Sequence, residues 1–534
     1  MYIYSKHKQG HIQMLKHLLL FICIAILYVF TAPNANAQRL LNKGTEMFAD
    51  EQYYIASKYF NKILTGNKYS DIEKGEASYY IGRCFFEVSR PADAIKYFKL
   101  AIEYNYQAAK LHLYYGQALQ MIESFAKAEK HLLKYKEMMP DDSIADQALE
   151  RYRRCIYMMR NPTDYDVVQV PSLNSPEMDY CPFFKGNTFE TVYFTSSRRI
   201  SDNPKISPES GEYFSNIYEA DMNKDGFWQK PKIIDGSVNT DYDEGAASLN
   251  RTTRNLYFTR CTYSKKKDKA CRIYVAKRSN NYWTQVEKIE IKGIPKHVSV
   301  GHPSISHDEL TLYFVADSMF GGYGGKDIYK ISRKKRSENF GTPQNLGPDL
   351  NTRYDDAYPY IRKNGLLYFS SKGHTSMGGY DIFVAKETGL AQFDVKNMGY
   401  PINSPHDDFG IVFMDSYNEG FLTSERIGGL GKSDIYYFHK PEIKLSLKGI
   451  IWDIMTNKPV EDVQVSLMNN NYELIDIIKT NSDGEYEFDL ETNYDYTIYV
   501  KHKDYGITTD SISTAGINTT KEFIREIFIK KTQY

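Results

Sequence analysis

The sequence predicts a multidomain chain: an α-helical solenoid, then a five-bladed β-propeller with six blades as the alternative count, then a β-sandwich. Three observations carry this. Residues 38–160 show helical spacing with recurring offsets, 165–440 repeat one strand pattern five times, and 443–531 form a small all-β segment. The central repeat is the clearest. Five segments end alike: VYFTSSR at 192–198, LYFTRC at 256–261, LYFVADS at 312–318, LYFSSKG at 367–373 and GFLTSER at 420–426. Their leading pairs start at Tyr193, Tyr257, Tyr313, Tyr368 and Phe421, at intervals of 64, 56, 55 and 53 residues. A period in this range with β-type composition marks a propeller or a repeat array.

Most copies open with a turn and an acidic pair, as at Asp243-Glu244, Asp355-Asp356 and Asp407-Asp408. The aromatic strand follows, then a hairpin, then an Asp-Ile-Tyr-like strand such as GKDIYKI (325–331), GYDIFVA (379–385) or KSDIYYF (432–438). These strands are short, rich in Tyr, Phe, Ile and Val, and bounded by Gly, Asn, Asp and Pro. Four strands per copy is the plan of a blade. The segment DVVQVPSL (166–173) has no earlier copy to join, so it is expected to complete the fifth and close the ring.

In the helical part Gly82 and Gly116 stand 34 residues apart. Twelve residues on from each come Ala94 and Ala128, and sixteen on come Phe98 and Leu132. Gly44, Ala56 and Phe60 keep the same offsets one unit earlier. This is the tetratricopeptide pattern, with small residues where paired helices cross and a bulky plug between them. Residues 141–160 are expected to form a capping helix opened by Asp141 and Asp142. Such a solenoid is concave, and Tyr79, Tyr80, Tyr114 and Tyr115 are the candidate lining of a peptide groove. Packing between repeats is the competing reading of these tyrosines.

The first 37 residues have the features of a secretory signal peptide. Lys6, Lys8 and Lys16 precede an apolar run from Leu18 to Phe30, and Ala35-Asn36-Ala37 offers a cleavage site before Gln38. Export would expose thiols to an oxidising compartment. Cys261 and Cys271 flank a charged loop between two strands expected to pair, which makes them the disulfide candidates. Cys84 and Cys155 fall in helical patterns and are expected in the core.

Lys and Arg number 67, as do Asp and Glu, so no basic field points to nucleic acid. No G-x-S-x-G elbow, H-E-x-x-H helix or phosphate-binding loop occurs. The acidic pairs recur at one position of each copy, which favours a repeated backbone need over catalysis. His302, His307 and His406 are expected to be structural or exposed. No catalytic, cofactor or metal site is expected.

The last segment carries Gly449, Asp453, Pro459-Val460, Val463, Val465, Asp483-Gly484 and the strand Tyr496–Val500. Its strand pattern fits a seven-stranded sandwich, and in that order it resembles the carboxypeptidase regulatory-like domain, which implies a transthyretin-like sandwich and does not imply peptidase activity. The Gly-Gly-x-Asp-Ile segments at 324–328 and 378–382 resemble the PD40 (WD40-like) signature. With the signal segment and the tetratricopeptide pattern, the whole order resembles the PorE-like accessory proteins of the type IX secretion system of Bacteroidetes. Those commonly end in an OmpA-like domain; this chain stops at Tyr534, so direct binding to peptidoglycan is not implied. The resemblance implies a non-enzymatic periplasmic scaffold associated with the outer membrane, holding type IX components or other envelope proteins. The alternative is an envelope binding or sensing module whose propeller captures a glycan, a peptidoglycan fragment or a peptide.

Overall fold

A computed structural model describes residues 35–201, 204–263, 269–389, 391–414, 418–517 and 519–532. Most of the signal segment and most of the Lys265–Lys269 hairpin tip lie outside the described residues. Among those described, no helix is long and apolar enough to cross a membrane.

Among the described residues seven helices come first: α1 (Ala35–Ala49), α2 (Tyr53–Leu64), α3 (Asp71–Glu87), α4 (Pro91–Glu103), α5 (Ala109–Met121), α6 (Phe125–Met138) and α7 (Ser143–Arg160). Local signals set their starts. Ser70 and Glu73 form a capping box on α3, Pro91 opens α4, and Asp142 accepts the Ile144 N–H at the start of α7. The helices pair through the small residues. A Cβ on Gly82 would stand 2.6 Å from the Phe98 ring, so only glycine lets α3 and α4 close to this distance.

Five four-stranded antiparallel sheets follow. The first holds β2 (Asp179–Phe184), β3 (Thr191–Ser196), β4 (Asn216–Asp221) and β5 (Lys232–Ile233). The second holds β6 (Asp243–Leu249), β7 (Asn255–Tyr263), β8 (Lys269–Ser279) and β9 (Tyr282–Lys288). The third holds β10 (Val300–Ile305), β11 (Thr311–Asp317), β12 (Lys326–Ser332) and β13 (Gln344–Asn345). The fourth holds β14 (Asp356–Ile361), β15 (Leu367–Ser371), β16 (Asp381–Gly389) and β17 (Gln392–Asn397). In the last, β18 (Asp408–Phe413), β19 (Glu419–Ser424) and β20 (Asp434–His439) are joined at the outer edge by β1 (Asp166–Gln169). The inner strands β2, β6, β10, β14 and β18 touch in succession and β18 returns to β2, so this part is a propeller-like ring around a channel.

The expected fold class is corrected here. Contacts divide the chain into two compact units, not three: residues up to Thr163 with Val167–His439, and Asp164–Asp166 with the residues from Lys440 on. The helices are therefore no free-standing tetratricopeptide solenoid followed by a separate five- or six-bladed propeller. The helices are bonded to the loops that connect the strands. Tyr54 N–H donates to the Glu209 carbonyl at 2.9 Å, Gln120 Nε2 to the Met377 carbonyl at 2.7 Å, and Arg151 to the Lys372 carbonyl at 3.1 Å. Repeat spacing reports how neighbouring helices pair. It carries no information on what their edge touches.

The second unit is also not the expected seven-stranded sandwich. Nine strands form a five-stranded and a four-stranded sheet over one apolar core that includes Leu447, Val465, Phe488 and Val500. Its long strand β21 (Leu445–Asp453) is flanked in parallel by two short strands in turn, Lys521–Ile524 and Ile527–Ile529. Gly449 sits where one hands over to the other, and a Cβ there would meet the Arg525 carbonyl at 1.7 Å.

Candidate functional site at the channel mouth

One hydrogen-bond pattern builds the mouth. In four turns an Asn bridges both main-chain groups of an Ile in the third strand of the preceding sheet. Asn239 accepts the Ile217 N–H at 2.8 Å and donates to its carbonyl at 2.9 Å. Asn351 does the same to Ile328, Asn403 to Ile382 and Asn174 to Ile435. Each Asn is followed by Ser or Thr, whose N–H and hydroxyl bond a buried acid four residues on: Asp179, Glu244, Asp356 or Asp408.

The acidic pairs therefore split into two jobs. The second member is the buried turn acid. Asp179, Glu244 and Asp408 also pair with Arg198, Arg260 and Arg426 at 3.1, 2.8 and 2.8 Å. Asp356 lacks such a partner, because Gly373 stands where Arg198 and Arg426 stand. Burial pushes its pKa up to about 7, against the turn hydrogen bonds. The first member spends one oxygen on the neighbouring sheet: Asp243 on Ser215 N–H, Asp355 on Lys326 N–H and Asp407 on Tyr380 N–H. Its other oxygen is turned to the channel mouth.

There the helices and the ring enclose a chamber of about 330 Å³. The roof is the α1–α2 and α3–α4 turns, through Glu51, Tyr53, Glu87 and Ser89. Glu51 and Ser89 have φ of +57° and +52°, the left-handed turn that lets each helix pair reverse tightly. Ser89 Oγ donates to Asp407. The Asp355 carboxylate receives the Tyr380 hydroxyl at 3.3 Å, with Lys372 at 3.5 Å and Lys326 at 3.7 Å. Burial acts to raise Asp355, but the two lysines outweigh it and hold it below the ordinary carboxylate value. Glu425 is the opposite case. One oxygen takes the Ser433 hydroxyl at 2.7 Å, the other is buried with no partner, and burial pushes the group up to about 8.

The floor is made by five main-chain bulges. Cys181, Ala246, His302, Tyr358 and Gly410 have φ of +50°, +40°, +50°, +53° and +59°, and each sits where an inner strand slips register against its neighbour. Three of their N–H groups donate to a threonine of the preceding sheet: Cys181 to Thr423, Ala246 to Thr195 and His302 to Thr259, at 2.9, 3.0 and 2.9 Å. At the next position Val315 replaces the threonine. The His302 ring takes over, accepting the Tyr358 N–H at 3.4 Å and stacking on the Tyr358 ring at 4.1 Å.

The other candidates fall elsewhere. Cys261 and Cys271 face each other on β7 and β8 and are joined by a disulfide, while Cys84, Cys155 and Cys181 are buried thiols. Ala37 is buried in the first turn of α1, next to Gln38. His307 is exposed and His406 buried. The four tyrosines do not line an open groove. Tyr79 stacks on Tyr106, Tyr80 on Phe60 and Tyr115 against His131, and Tyr114 lies under the Arg83 guanidinium at 3.6 Å. Sequence reasoning missed Glu425, Lys326, Lys372 and Tyr380, although Lys372 and Glu425 hold one position of the repeat, just after the second strand, and Lys326 and Tyr380 hold another, just before the Asp-Ile pair.

No family model and no curated protein matches the chain. Solved structures similar to it include a thermostable family-43 glycoside hydrolase, at 16% identity and a TM-score of 0.34, covering 49% of this chain and 88% of that one. The RS223 β-xylosidase is 12% identical with a TM-score of 0.35, covering 52% and 95%. The α-L-arabinofuranosidase PaAbf62A from Podospora anserina, in complex with cellotriose, is 9% identical with a TM-score of 0.33, covering 50% and 92%.

Two functional expectations are corrected. The non-enzymatic scaffold required a helical surface free to hold envelope proteins, and one edge of the helices is bonded to the chain's own strand-connecting loops, with Tyr79 buried and Tyr80, Tyr114 and Tyr115 half-buried. The expectation of no enzyme rested on missing motifs. The chamber nonetheless brings together carboxylates, Asp355 and Glu425, that the sequence kept 70 residues apart.

Proposed function

We propose that the chain is a binding module whose helix-roofed channel mouth captures a glycan fragment bearing charged groups, of the peptidoglycan-fragment class. One observation carries this: Lys326, Lys372 and Lys432 stand among a larger set of acids, Asp355, Asp407 and Glu425 with Asp243 and four glutamates, around a chamber walled by Tyr180, Tyr358 and Tyr380. Such a wall offers partners to hydroxyls, to amines and to carboxylates, with aromatic faces for sugar rings. The setting we propose is the cell envelope, on the strength of the Lys-rich and apolar segment that precedes Ala37.

The test is calorimetric titration of the full chain with a disaccharide-peptide from peptidoglycan and with a neutral disaccharide. The charged fragment is expected to bind, and Asp355→Asn to weaken it at least ~tenfold, the scale of one charge-assisted contact. No heat with the charged fragment at millimolar concentration would sink the reading.

A second reading, hydrolysis of the captured glycan, is favoured by the opposite ionisation of two carboxylates in one chamber. Glu425, neutral at pH 7, would protonate the bridging oxygen, and ionised Asp355 would take the proton of the attacking water. Reducing ends released by the parent and not by Glu425→Gln, with binding kept, support it; none released by either removes it.

A further inference from the structure

We propose that the chamber recognises its ligand by a primary ammonium group, which the Glu425 carboxyl receives. The inference rests on the reading of the chamber as a site for a charged glycan fragment, and it names the charge. The balance of the wall is the first argument. Among the described residues eight carboxyl side chains and three lysines line the chamber. The lysines are committed within the wall: Lys326 and Lys372 stand 3.7 and 3.5 Å from Asp355, and Lys432 stands 3.9 Å from Glu425. The excess is acidic, in a chain whose basic and acidic residues balance at 67 each. A cleft of one sign concentrates ligands of the other.

The second argument is Glu425 itself. Its side chain is 7% exposed, Ser433 donates to one oxygen at 2.7 Å, and the other oxygen is buried with no partner. A buried polar atom left so is costly, and an N–H donor brought by a ligand satisfies it. The repeat directs this side chain at the chamber. Glu425 is the fourth residue after the leading Phe421, a position that holds Ser197, Cys261, Asp317 and Lys372 in the other copies. Cys261 and Lys372 line the chamber with it. Five different side chains at one position answer no shared backbone need, unlike the turn acids.

The third argument selects the ligand group. No cluster of three His, Cys, Asp or Glu among the described residues could hold a metal ion, so the cation this wall suits is organic. Tyr180, Tyr358, Tyr380 and Phe409 supply ring faces, and Lys372 Nζ already lies 4.6 Å from the centre of the Tyr380 ring. A cation over such a face is attracted by the ring quadrupole. The empty Glu425 carboxyl titrates at about 8 and holds its proton at pH 7. An ammonium group beside it favours the carboxylate, and the proton passes to solvent. Lys432, Asp407 and Lys372 face it from three loops of the ring, with Glu51, Tyr53 and Glu87 in the roof turns of the same chamber. Binding of the ammonium group therefore strengthens from pH 6 to pH 8.

The test titrates the full chain with two ligands that differ in one group, a disaccharide-peptide with a free lysine amine and the same molecule acetylated on that amine. The free amine is expected to bind at least ~tenfold tighter, the scale of one charge-assisted contact, and the gap to widen from pH 6 to pH 8. Glu425→Gln, whose fold a melting curve checks, should bring the free-amine ligand down to the acetylated affinity and leave the latter unchanged. A disaccharide with its own amines free, measured against its N-acetylated form, locates the group. A gain equal to that of the peptide ligand assigns the ammonium to the sugar, and no gain assigns it to the peptide. Equal binding of the free and acetylated peptide ligands, or undiminished discrimination in Glu425→Gln, overturns the ammonium assignment and leaves the glycan reading standing. No binding of either peptide ligand overturns both.

Discussion

Glu425 shows how this chain tolerates a carboxyl where water is scarce. Its side chain is 7% exposed, Ser433 satisfies one oxygen, and Lys432 stands 3.9 Å away, too far for a close pair. The folded group titrates at about 8, whereas an unfolded Glu titrates near about 4.3. The folded state therefore binds this proton more tightly. The stability it contributes is fully present below about pH 4.3 and is lost as pH rises through about 8. Glu425→Gln stays neutral throughout. The variant should melt ~2 °C or more above the parent at pH 9, and the gap should narrow markedly by pH 5. Melting curves at the two pH values decide it, and a gap independent of pH would show that the carboxyl does not titrate in this window. Asp356 obeys the same logic for a different reason, the glycine at position 373 that removes its arginine.

At the scale of elements the inner strands are the parts least like ordinary strands. Each breaks its ladder at a left-handed residue, a costly conformation outside glycine, and at Cys181, Ala246 and His302 a threonine of the preceding sheet satisfies the N–H that the bulge exposes. Removing that hydroxyl should be felt. Thr259→Val leaves the His302 N–H buried without its acceptor and should cost about 1–3 kcal/mol, measured as a shift in the urea midpoint with an unchanged slope. No shift would mean that water or a neighbouring group takes the N–H. Much at this scale was legible. The aromatic second strands declared themselves by β-branched and aromatic composition, and the sixteen-residue offsets are contacts, Gly44 against Phe60 and Gly116 against Leu132. The bulges left one sign, Pro182, Pro303 and Pro359 inside strand-like runs, because proline within a sheet is confined to edges and bulges. The chamber left its acids in the recurring pairs, through Asp243, Asp355 and Asp407, and Lys372 and Glu425 at one repeat position. Which helix turns cover them was not legible, because local pattern does not encode which loops converge.

The whole molecule raises the question of what melts together. Sequence periodicity separated helices from sheets because their repeats differ, yet the two are cross-bonded at Tyr54, Ser89, Gln120 and Arg151 along one edge of the helical array. These bonds span long stretches of the chain: Tyr54 reaches Glu209 main chain to main chain, Gln120 and Arg151 reach carbonyls more than 200 residues on, and the Ser89 hydroxyl reaches the Asp407 carboxylate over a separation of 318. A helical segment held this way gains cooperativity with the ring. Calorimetry of the full chain should then give two transitions, one for the helices with the sheets and one for the unit from Lys440 on, with no third transition for the helices. Gln120→Ala with Arg151→Ala removes two of the cross-bonds, each worth about 0.5–1.5 kcal/mol or more for the charged donor. The first transition should fall by a few degrees and the second should not move. A separate helical transition already present in the parent would mean that the edge contacts are too weak to couple the two, and that the roof of the chamber opens independently of its walls.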